Sequence, residues 1–313
     1  MLPLIVIFGA TASGKTALSL ALARRFGGQI LSCDSVAVYR RMELGTAKPT
    51  LAERASVPHH LLDLYDPNEV CTAGDYARHG RAVLEGLAQR HSLPIVAGGT
   101  GLYLRALLDG LFAAPPRDEA LRESLRKRAA TRGPEHLHRT LARFDPAAAR
   151  LIHCNDVSKV VRAIEVSLAA RRPMTEQWEQ GRDALRGYSV LRIGLAPPRD
   201  LLYARINDRA AAMFRNGLVE ETRSLIAQFG ADCRPFTSLG YVQAAAVLDG
   251  TMTEPQAISA AQQGHRNYAK RQTTWFRREG ELHPVHWLEG VGDAPAVIAE
   301  AMELAEQHLA KSA

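Results

Sequence analysis

The amino-terminal third of the chain alternates short apolar runs with amphipathic stretches. The first run, residues 4–8, is continuous, as expected for a strand buried on both faces of a parallel sheet. Residues Lys15–Phe26 then have the pattern of a helix that a pair of glycines ends. Further strands are predicted at Gln29–Cys33 and at residues 94–97. Because strands and helices alternate, we predict an α/β fold whose parallel strands are joined by right-handed crossovers.

The pattern changes after two adjacent prolines at positions 115 and 116. From residue 119 to residue 170 the chain is rich in Ala, Leu, Arg and Glu, and the pairs Gly133-Pro134 and Asp145-Pro146 are predicted to break its helices. A strand-like run returns at residues 189–195, and a mostly helical remainder follows. We therefore predict a catalytic core made of residues 1–113 and 187–313, interrupted by an all-helical domain of residues 114–186.

Composition and charge narrow the class of protein. The 313 residues are 46% apolar and 23% charged, which is ordinary for a globular protein. A net charge of +6 and a pI near 9.3 suit a polyanionic partner. The four cysteines form no CxxC pair, so neither a zinc site nor a disulfide framework is predicted. The apolar start is too short for a membrane span and lacks the basic start of a secretion signal, so we expect a cytoplasmic protein with no membrane partner.

A phosphate-binding motif lies between the first predicted strand and the first predicted helix. The sequence GATASGKT fits the pattern G-x-x-x-x-G-K-[ST]. In such a loop, backbone N–H groups surround phosphate oxygens, the lysine adds a charge, and the threonine hydroxyl can reach a bound Mg²⁺. The motif indicates a P-loop NTPase-like parallel sheet flanked by helices, but it does not identify a reaction. The predicted phosphate contacts are Gly9, Ala10, Thr11, Ala12, Ser13, Gly14, Lys15 and Thr16.

Two further turns are predicted at the same edge of the sheet as the phosphate loop. Asp34 follows the second strand, where its carboxylate could accept a proton from a nucleophile or could cap the next element. The sequence leaves these two roles open. Gly98 and Gly99 precede Thr100 where many nucleotide hydrolases carry an aspartate that holds Mg²⁺. The threonine could approach a leaving oxygen, or the glycines could simply form a tight turn.

Basic residues are concentrated in two other stretches. Residues 155–156 are predicted to cap a helix that carries Lys159 and Arg162 on one face. Residues 264–278 mix cations with aromatic residues, a composition suited to phosphate contacts and base stacking. Each stretch taken alone is also compatible with a solvated helix face. Arg209 lies on a helical stripe, one side of which is predicted to face packed structure.

Together these segments resemble the tRNA dimethylallyltransferase family, also called isopentenyl-diphosphate:tRNA transferases. The resemblance extends almost from end to end, and it depends on the order and spacing of the motifs more than on the phosphate loop, which unrelated proteins share. The matching segments are residues 9–16, 34–35, 38–40, 45–49, 59–63, 98–103, 155–156, 162–166, 217–221, 239–241, 269–272 and Trp275.

The resemblance implies a reaction and a set of catalytic residues. A dimethylallyl group would pass from dimethylallyl diphosphate to the exocyclic N6 of adenosine 37 in tRNA, releasing diphosphate. The donor diphosphate would lie in the phosphate loop, and Asp34 would accept a proton from the adenine amino nitrogen or orient it. Thr100 would hydrogen-bond the bridging oxygen, and Arg209 would neutralise charge on the leaving group. Mg²⁺, bound partly through Thr16, is the implied cofactor.

The implied macromolecular partner is the tRNA anticodon stem-loop, which the helical insertion would clasp. The target base must leave its stack to reach the donor. Ala37 stands where many family members have glutamine, so no base contact from that side chain is expected. Nothing in the sequence demands more than a monomer. The implied RNA contacts are Asp34, Ser35, Val36, Ala37, Thr100, Arg122, Ser158, Lys159, Val160, Val161, Arg162, Arg266, Lys270 and Arg271.

Three alternative functions share parts of this pattern. A small-molecule P-loop kinase would have the loop, an acceptor-side aspartate and a helical lid, but the Gly-Gly-Thr-Gly turn lacks the usual aspartate. An isopentenyltransferase acting on free adenine nucleotides would share the chemistry, although the long insertion and basic carboxyl-terminal helix favour RNA. A non-catalytic RNA-binding protein could use the loop as a nucleotide switch.

Overall fold

The chain forms two compact units in the computed structural model, which describes residues 1–112, 115–179, 181 and 183–312. The core unit comprises Met1–Leu107 and Leu185–Ala313, and the helical unit comprises Leu108–Ala184. The helical unit therefore begins at residue 108 rather than 114 and ends at residue 184 rather than 186. The first boundary coincides with the end of a helix at Leu108, seven residues before the first of the two adjacent prolines.

The core unit is built on one sheet of six parallel strands. Along the sheet the order is β3-β2-β4-β1-β5-β6, so β1 lies centrally between β4 and β5. The α/β class predicted from the alternating pattern is confirmed. The strands are β1 Leu2–Gly9, β2 Gln29–Cys33, β3 His59–His60, β4 Pro94–Gly98, β5 Tyr188–Leu195 and β6 His286–Leu288.

Helices cover the sheet and complete the core unit. The first, Lys15–Phe26, has the predicted bounds. A short 3-10 helix at Arg234–Thr237 precedes a longer carboxyl-terminal helical region. The core-unit helices are α1 Lys15–Phe26, α2 Leu51–Ser56, α3 Ala73–Gln89, α4 Gly101–Leu108, α10 Arg199–Arg215, α11 Leu218–Phe229, α12 Tyr241–Leu248, α13 Glu254–Leu282 and α14 Pro295–Ser312.

The central strand β1 is buried on both faces, as its continuous apolar run predicts. Ile5 and Ile7 are fully buried in a cluster with residues of α1 and α14. On the other face, the Phe8 ring stacks on Phe276 of α13 with 4.6 Å between ring centroids. Because both faces are packed, the strand is held rigidly and the loop that follows it has a fixed starting point.

The helical unit has its own apolar core. Leu137, Leu141 and Ile164 are fully buried within it. Helices end at both predicted breaks, and Asp145 and Asp156 cap the helices that follow them. Its helices are α5 Glu119–Arg132, α6 Pro134–Phe144, α7 Pro146–Leu151, α8 Val157–Ala170 and α9 Met174–Glu179.

Candidate active site

The phosphate loop begins at the last residue of β1 and extends into the first two residues of α1. Gly14 has a left-handed backbone, with φ of +92°, at the N-cap of this helix. A Cβ at this position would lie 2.5 Å from the backbone nitrogen of Gly292, whose N–H donates to Ser13 O at 2.8 Å. Glycine is therefore required both by conformation and by the close approach of residue 292. The loop has the strand–loop–helix context that its sequence predicts.

Lys15 places its ammonium group over the start of this loop. Nζ donates to Gly9 O at 3.1 Å and to Ala10 O at 2.7 Å. Burial, followed by the nearby Arg209 charge, lowers the pKa of this lysine to about 8, although the Asp34 carboxylate opposes the change. A bound anion would restore the charged form because it would replace the lost solvation.

Asp34 lies just beyond β2 and caps the turn that follows. Its Oδ1 accepts from the backbone N–H groups of Val36 at 2.8 Å and Ala37 at 3.1 Å. Within the described part of the chain, no hydrogen bond to Oδ2 is formed. The capping role is therefore real, and it fixes the carboxylate so that its second oxygen is available for other chemistry.

Thr100 lies beside this turn. The backbone N–H groups of Gly99 and Thr100 both donate to Cys33 O at 3.2 Å. The Thr100 hydroxyl accepts from the Ser35 N–H at 3.1 Å and donates to Ser35 Oγ at 3.4 Å. The structure thus brings together the two turns that the sequence placed at one edge of the sheet.

Two arginines of α10 approach the phosphate loop. Arg205 Nε donates to Ala12 O at 3.1 Å and its Nη1 pairs with Asp293 at 3.0 Å. One turn later, Arg209 Nη2 donates to Thr46 O at 3.4 Å. Burial lowers the pKa of Arg209, and Asp34 opposes this change. Its Nε has no hydrogen-bond partner among the described residues. The predicted packing of one side of Arg209 is confirmed.

Helix α13 contributes two site residues that the sequence did not single out. Gln272 Oε1 accepts from the Thr11 N–H at 2.8 Å, and its Nε2 donates to Gly99 O at 2.9 Å. This amide joins the phosphate loop to the turn before Thr100. Tyr268, one helical turn earlier, is partly buried in the same region as Asp34, and desolvation raises its pKa to about 12. Tyr268 and Gln272 are four residues apart in the basic stretch, which places them on one face of a helix. This spacing is the only sign of their shared location that the sequence offers.

These groups surround one cavity of about 490 Å³ in the core unit. Its lining includes Lys15, Thr16, Asp34, Arg209 and Tyr268. Cations of the phosphate loop and of α10 line the same cavity as the fixed Asp34 carboxylate. The arrangement can hold a diphosphate-sized anion next to a group that can accept a proton.

The predicted RNA contacts in the helical unit divide into exposed and buried residues. Ser158 and Lys159 are exposed at the start of α8. Val160 and Val161 are 0% and 2% exposed, in the apolar core. Helical periodicity turns both side chains inward, and RNA contact at these two positions stays a prediction.

The two predicted arginine contacts in this unit are held by one carboxylate. Arg122 Nε and Nη2 donate to the two oxygens of Glu165, each at 2.8 Å. Arg162 Nη1 donates to Glu165 Oε2 at 2.5 Å. The Arg122 side chain is only 14% exposed. Both arginines thus have a structural role that the sequence did not reveal.

Some of the predicted RNA contacts in the core unit are more exposed than the arginines and valines of the helical unit. Lys270 and Arg271 are exposed on α13, whereas Arg266 is partly buried and bonds to Asn207 and Gln263. Ser35 and Val36 are partly buried in the turn that Asp34 caps, and Ala37 is 4% exposed. Within the residues that the structure describes, no helix is long and apolar enough to cross a membrane.

Fold and site together define a phosphate-loop α/β protein with a carboxylate facing the anion site. A family model described as "IPP transferase" matches residues 37–279, and one described as "Isopentenyl transferase" matches residues 2–68. The chain therefore belongs to the IPP transferase family.

Individual relatives agree with this assignment. A protein of Koribacter versatilis named tRNA dimethylallyltransferase is 62% identical over 301 residues, covering 96% of this chain and 97% of its own. One of the same name from Solibacter usitatus is 51% identical over 303 residues, with the same coverage of both chains. The crystal structure of the full-length tRNA isopentenylpyrophosphate transferase of Bacillus halodurans is 34% identical. It superposes with a TM-score of 0.72, covering 99% of this chain and 98% of its own.

Proposed function

We propose that this chain is a tRNA dimethylallyltransferase that moves a dimethylallyl group from dimethylallyl diphosphate to N6 of adenosine 37 in tRNA. The observation that carries the proposal is one cavity lined by Lys15, Arg209, residues of the phosphate loop and Asp34. The Thr100 hydroxyl lies next to the turn that Asp34 caps, where it accepts from the Ser35 N–H. Relatives covering nearly the whole chain bear the name of this activity.

The donor diphosphate would lie against the phosphate loop. Lys15 and Arg209 would neutralise its charge, and backbone N–H groups at the start of α1 would bind its oxygens. The Lys15 bonds to Gly9 O and Ala10 O hold its ammonium group at the anion site. Binding there leaves the allylic carbon to face the side of the cavity that carries Asp34.

In the transfer step, the adenine N6 lone pair attacks C1 of the allyl group. A new N–C bond forms while the C–O bond to diphosphate breaks, and its electron pair goes to the bridging oxygen. The N6 proton passes to the free Oδ2 of Asp34, and the Thr100 hydroxyl turns from Ser35 Oγ to donate to the leaving oxygen. Stabilisation of charge on diphosphate by Lys15 and Arg209 supplies the main catalytic effect.

The residues present fit a magnesium ion. Thr16, Asp208 and Asp293 line the same cavity and offer oxygen atoms, the ligand type that Mg²⁺ prefers. When bound, Mg²⁺ supplies further neutralisation of the diphosphate. Action as a monomer in the cytoplasm stays a prediction.

The test incubates purified protein and Mg²⁺ with unmodified tRNA and radiolabelled dimethylallyl diphosphate, with AMP and ATP in parallel reactions. The proposal predicts label in the RNA at the adenosine 3′ to the anticodon. Label on AMP alone would assign the chain to transferases of free nucleotides. ATP consumption with no label would assign it to the kinases.

A further inference from the structure

The core unit contains a second cavity, of about 630 Å³, that the proposed reaction does not use. It opens beside Gly9 and Ala10, at the start of the phosphate loop, and shares no lining residue with the first cavity. Its other walls come from the end of β5, the first turns of α10 and one face of α13. None of its lining residues is acidic.

Three cations reach this cavity: Arg199 of α10, and Lys270 and Arg277 of α13. Within the described part of the chain, none of the three forms an ion pair, in contrast to Arg205, which binds Asp293. The Arg199 guanidinium lies over the Tyr203 ring, 5.0 Å from its centroid. Uncompensated cations around a concave surface without carboxylates attract an anion.

The same cavity has an aromatic wall. Trp287 of β6 is 38% exposed and meets the Phe8 ring edge-on, with 5.7 Å between centroids. Its ring lies on Gly194 of β5, where a Cβ would be 2.5 Å from the ring. The absence of a side chain at Gly194 therefore allows the indole to lie against the strand, with part of its surface open to the cavity.

Cations together with an aromatic wall suit a nucleotide, whose base stacks and whose phosphate pairs with Arg or Lys. Helix α13 lines both cavities. Tyr268 and Gln272 line the first, and Lys270 and Arg277 line the second. A strand with repeated bases and phosphates can engage both sides of this helix at once. A small anion would bind in only one of the two cavities.

We propose that the second cavity binds one nucleotide of the RNA strand near the base that is alkylated, with its base against Trp287 and its phosphate on Arg199, Lys270 and Arg277. This inference rests on the proposed function, because it takes the RNA from that reaction. Arg199, Arg277 and Trp287 were not among the predicted RNA contacts.

The first test measures binding of an unmodified anticodon stem-loop to Arg199→Gln and Arg277→Gln. Arg278→Gln is the matched control, since this neighbouring cation does not line the cavity. Each cavity variant should bind RNA roughly 3- to 10-fold more weakly and lower the salt slope of log K by about 1. The KM for dimethylallyl diphosphate should stay unchanged.

The second test maps the base contact directly. Stem-loops with 4-thiouridine at single loop positions are photo-crosslinked to the wild-type chain, and crosslinked peptides are identified by mass spectrometry. One position should crosslink to Trp287, and Trp287→Phe should reduce that yield at least severalfold.

The outcomes separate this inference from the proposed function. RNA binding of both arginine variants equal to the control, with no crosslink at Trp287, overturns the second site. Weaker binding of dimethylallyl diphosphate with unchanged RNA affinity would assign the cavity to a small anion and also overturn it. Failure of the wild-type chain to label tRNA at all would instead contradict the proposed function.

Discussion

Replacing Glu165 separates the structural role of Arg122 and Arg162 from RNA binding. The Glu165 side chain is 1% exposed and accepts hydrogen bonds from both arginines. It also accepts from the backbone N–H of Asp118 at 2.7 Å, the residue that caps α5. One carboxylate therefore ties α8 to the beginning of α5 inside the helical unit.

The contribution of Glu165 to the free energy of unfolding follows from the pKa of its carboxyl group. Burial raises the pKa, but hydrogen bonds from Arg122, Arg162 and Asp118 outweigh it and lower the pKa from 4.5 to about 2. At about 1.4 kcal/mol for each tenfold change in acid dissociation, the charged carboxylate contributes roughly 3 kcal/mol. Because the folded pKa lies below the unfolded one, this contribution is complete above pH 4.5 and is lost as pH falls towards 2.

Glu165→Gln should therefore destabilise the helical unit by roughly 3 kcal/mol at pH 7 and by less than half of that at pH 3. The assay is urea unfolding followed by the fluorescence of Trp178, in a background where the other two tryptophans are phenylalanine. Glu119→Gln is the control, because this side chain is 61% exposed and exposed pairs contribute about 1 kcal/mol at most.

Two results would refute this reasoning. One is wild-type stability of Glu165→Gln at pH 7, and the other is a difference from wild type that is the same at pH 7 and pH 3. Either would show that the two arginines are not held by this carboxylate in solution, and would leave RNA binding as their main role.

Three further predictions concern the active site and the RNA surface. Lys15→Ala should weaken binding of dimethylallyl diphosphate roughly 10- to 100-fold, the effect of losing a charged hydrogen bond. The affinity of the wild-type chain for dimethylallyl diphosphate should fall as pH rises above 8, since Lys15 of the unliganded protein has a pKa of about 8. Titration calorimetry would measure the affinity of the variant and the pH dependence of the wild type. Tyr268→Phe should slow transfer about fivefold, because it removes a hydroxyl from the lining of the cavity that holds Asp34 and a neutral hydrogen bond is worth about 1 kcal/mol, with little change in donor KM. RNA affinity, measured by filter binding, should fall steeply with added salt.

Each of these predictions has a distinct contrary result. A pH-independent donor affinity would show that Lys15 does not bind the diphosphate. A wild-type transfer rate for Tyr268→Phe would show that the tyrosine hydroxyl takes no part in the reaction. A flat salt response would remove Lys270 and Arg271 from the RNA surface.

The phosphate loop and the elements around it could be predicted because local sequence determines them. The glycine spacing and the buried run before it define the loop, and the bounds of α1 were correct. The two-residue strand β3 and the three-residue strand β6 were missed, since so few residues show no alternation. Their pairing depends on neighbouring strands that are distant in sequence.

Roles that depend on long-range partners could not be predicted. Glu165 gives no local sign that it will bind Arg122, which lies 43 residues earlier. Gln272 bonds to Thr11 across 261 residues, so only the folded chain shows that it joins two loops. The inward orientation of Val160 and Val161 is predictable from helical periodicity, whereas the family resemblance predicts RNA contacts at these positions without regard to burial.

The most direct test of the proposed mechanism compares Asp34→Asn with Asp34→Ala. The amide oxygen of asparagine can still accept from the Val36 and Ala37 N–H groups, so this variant keeps the cap but cannot take a proton. Alanine loses both functions.

The measurement is the single-turnover rate of dimethylallyl transfer to tRNA at saturating donor and RNA, with both affinities determined separately. A general base typically contributes 10²- to 10⁴-fold, so Asp34→Asn should be at least about 100-fold slower than wild type with near-normal binding. A wild-type rate for Asp34→Asn with a slow Asp34→Ala would contradict the account, because it would show that Asp34 acts only as a cap.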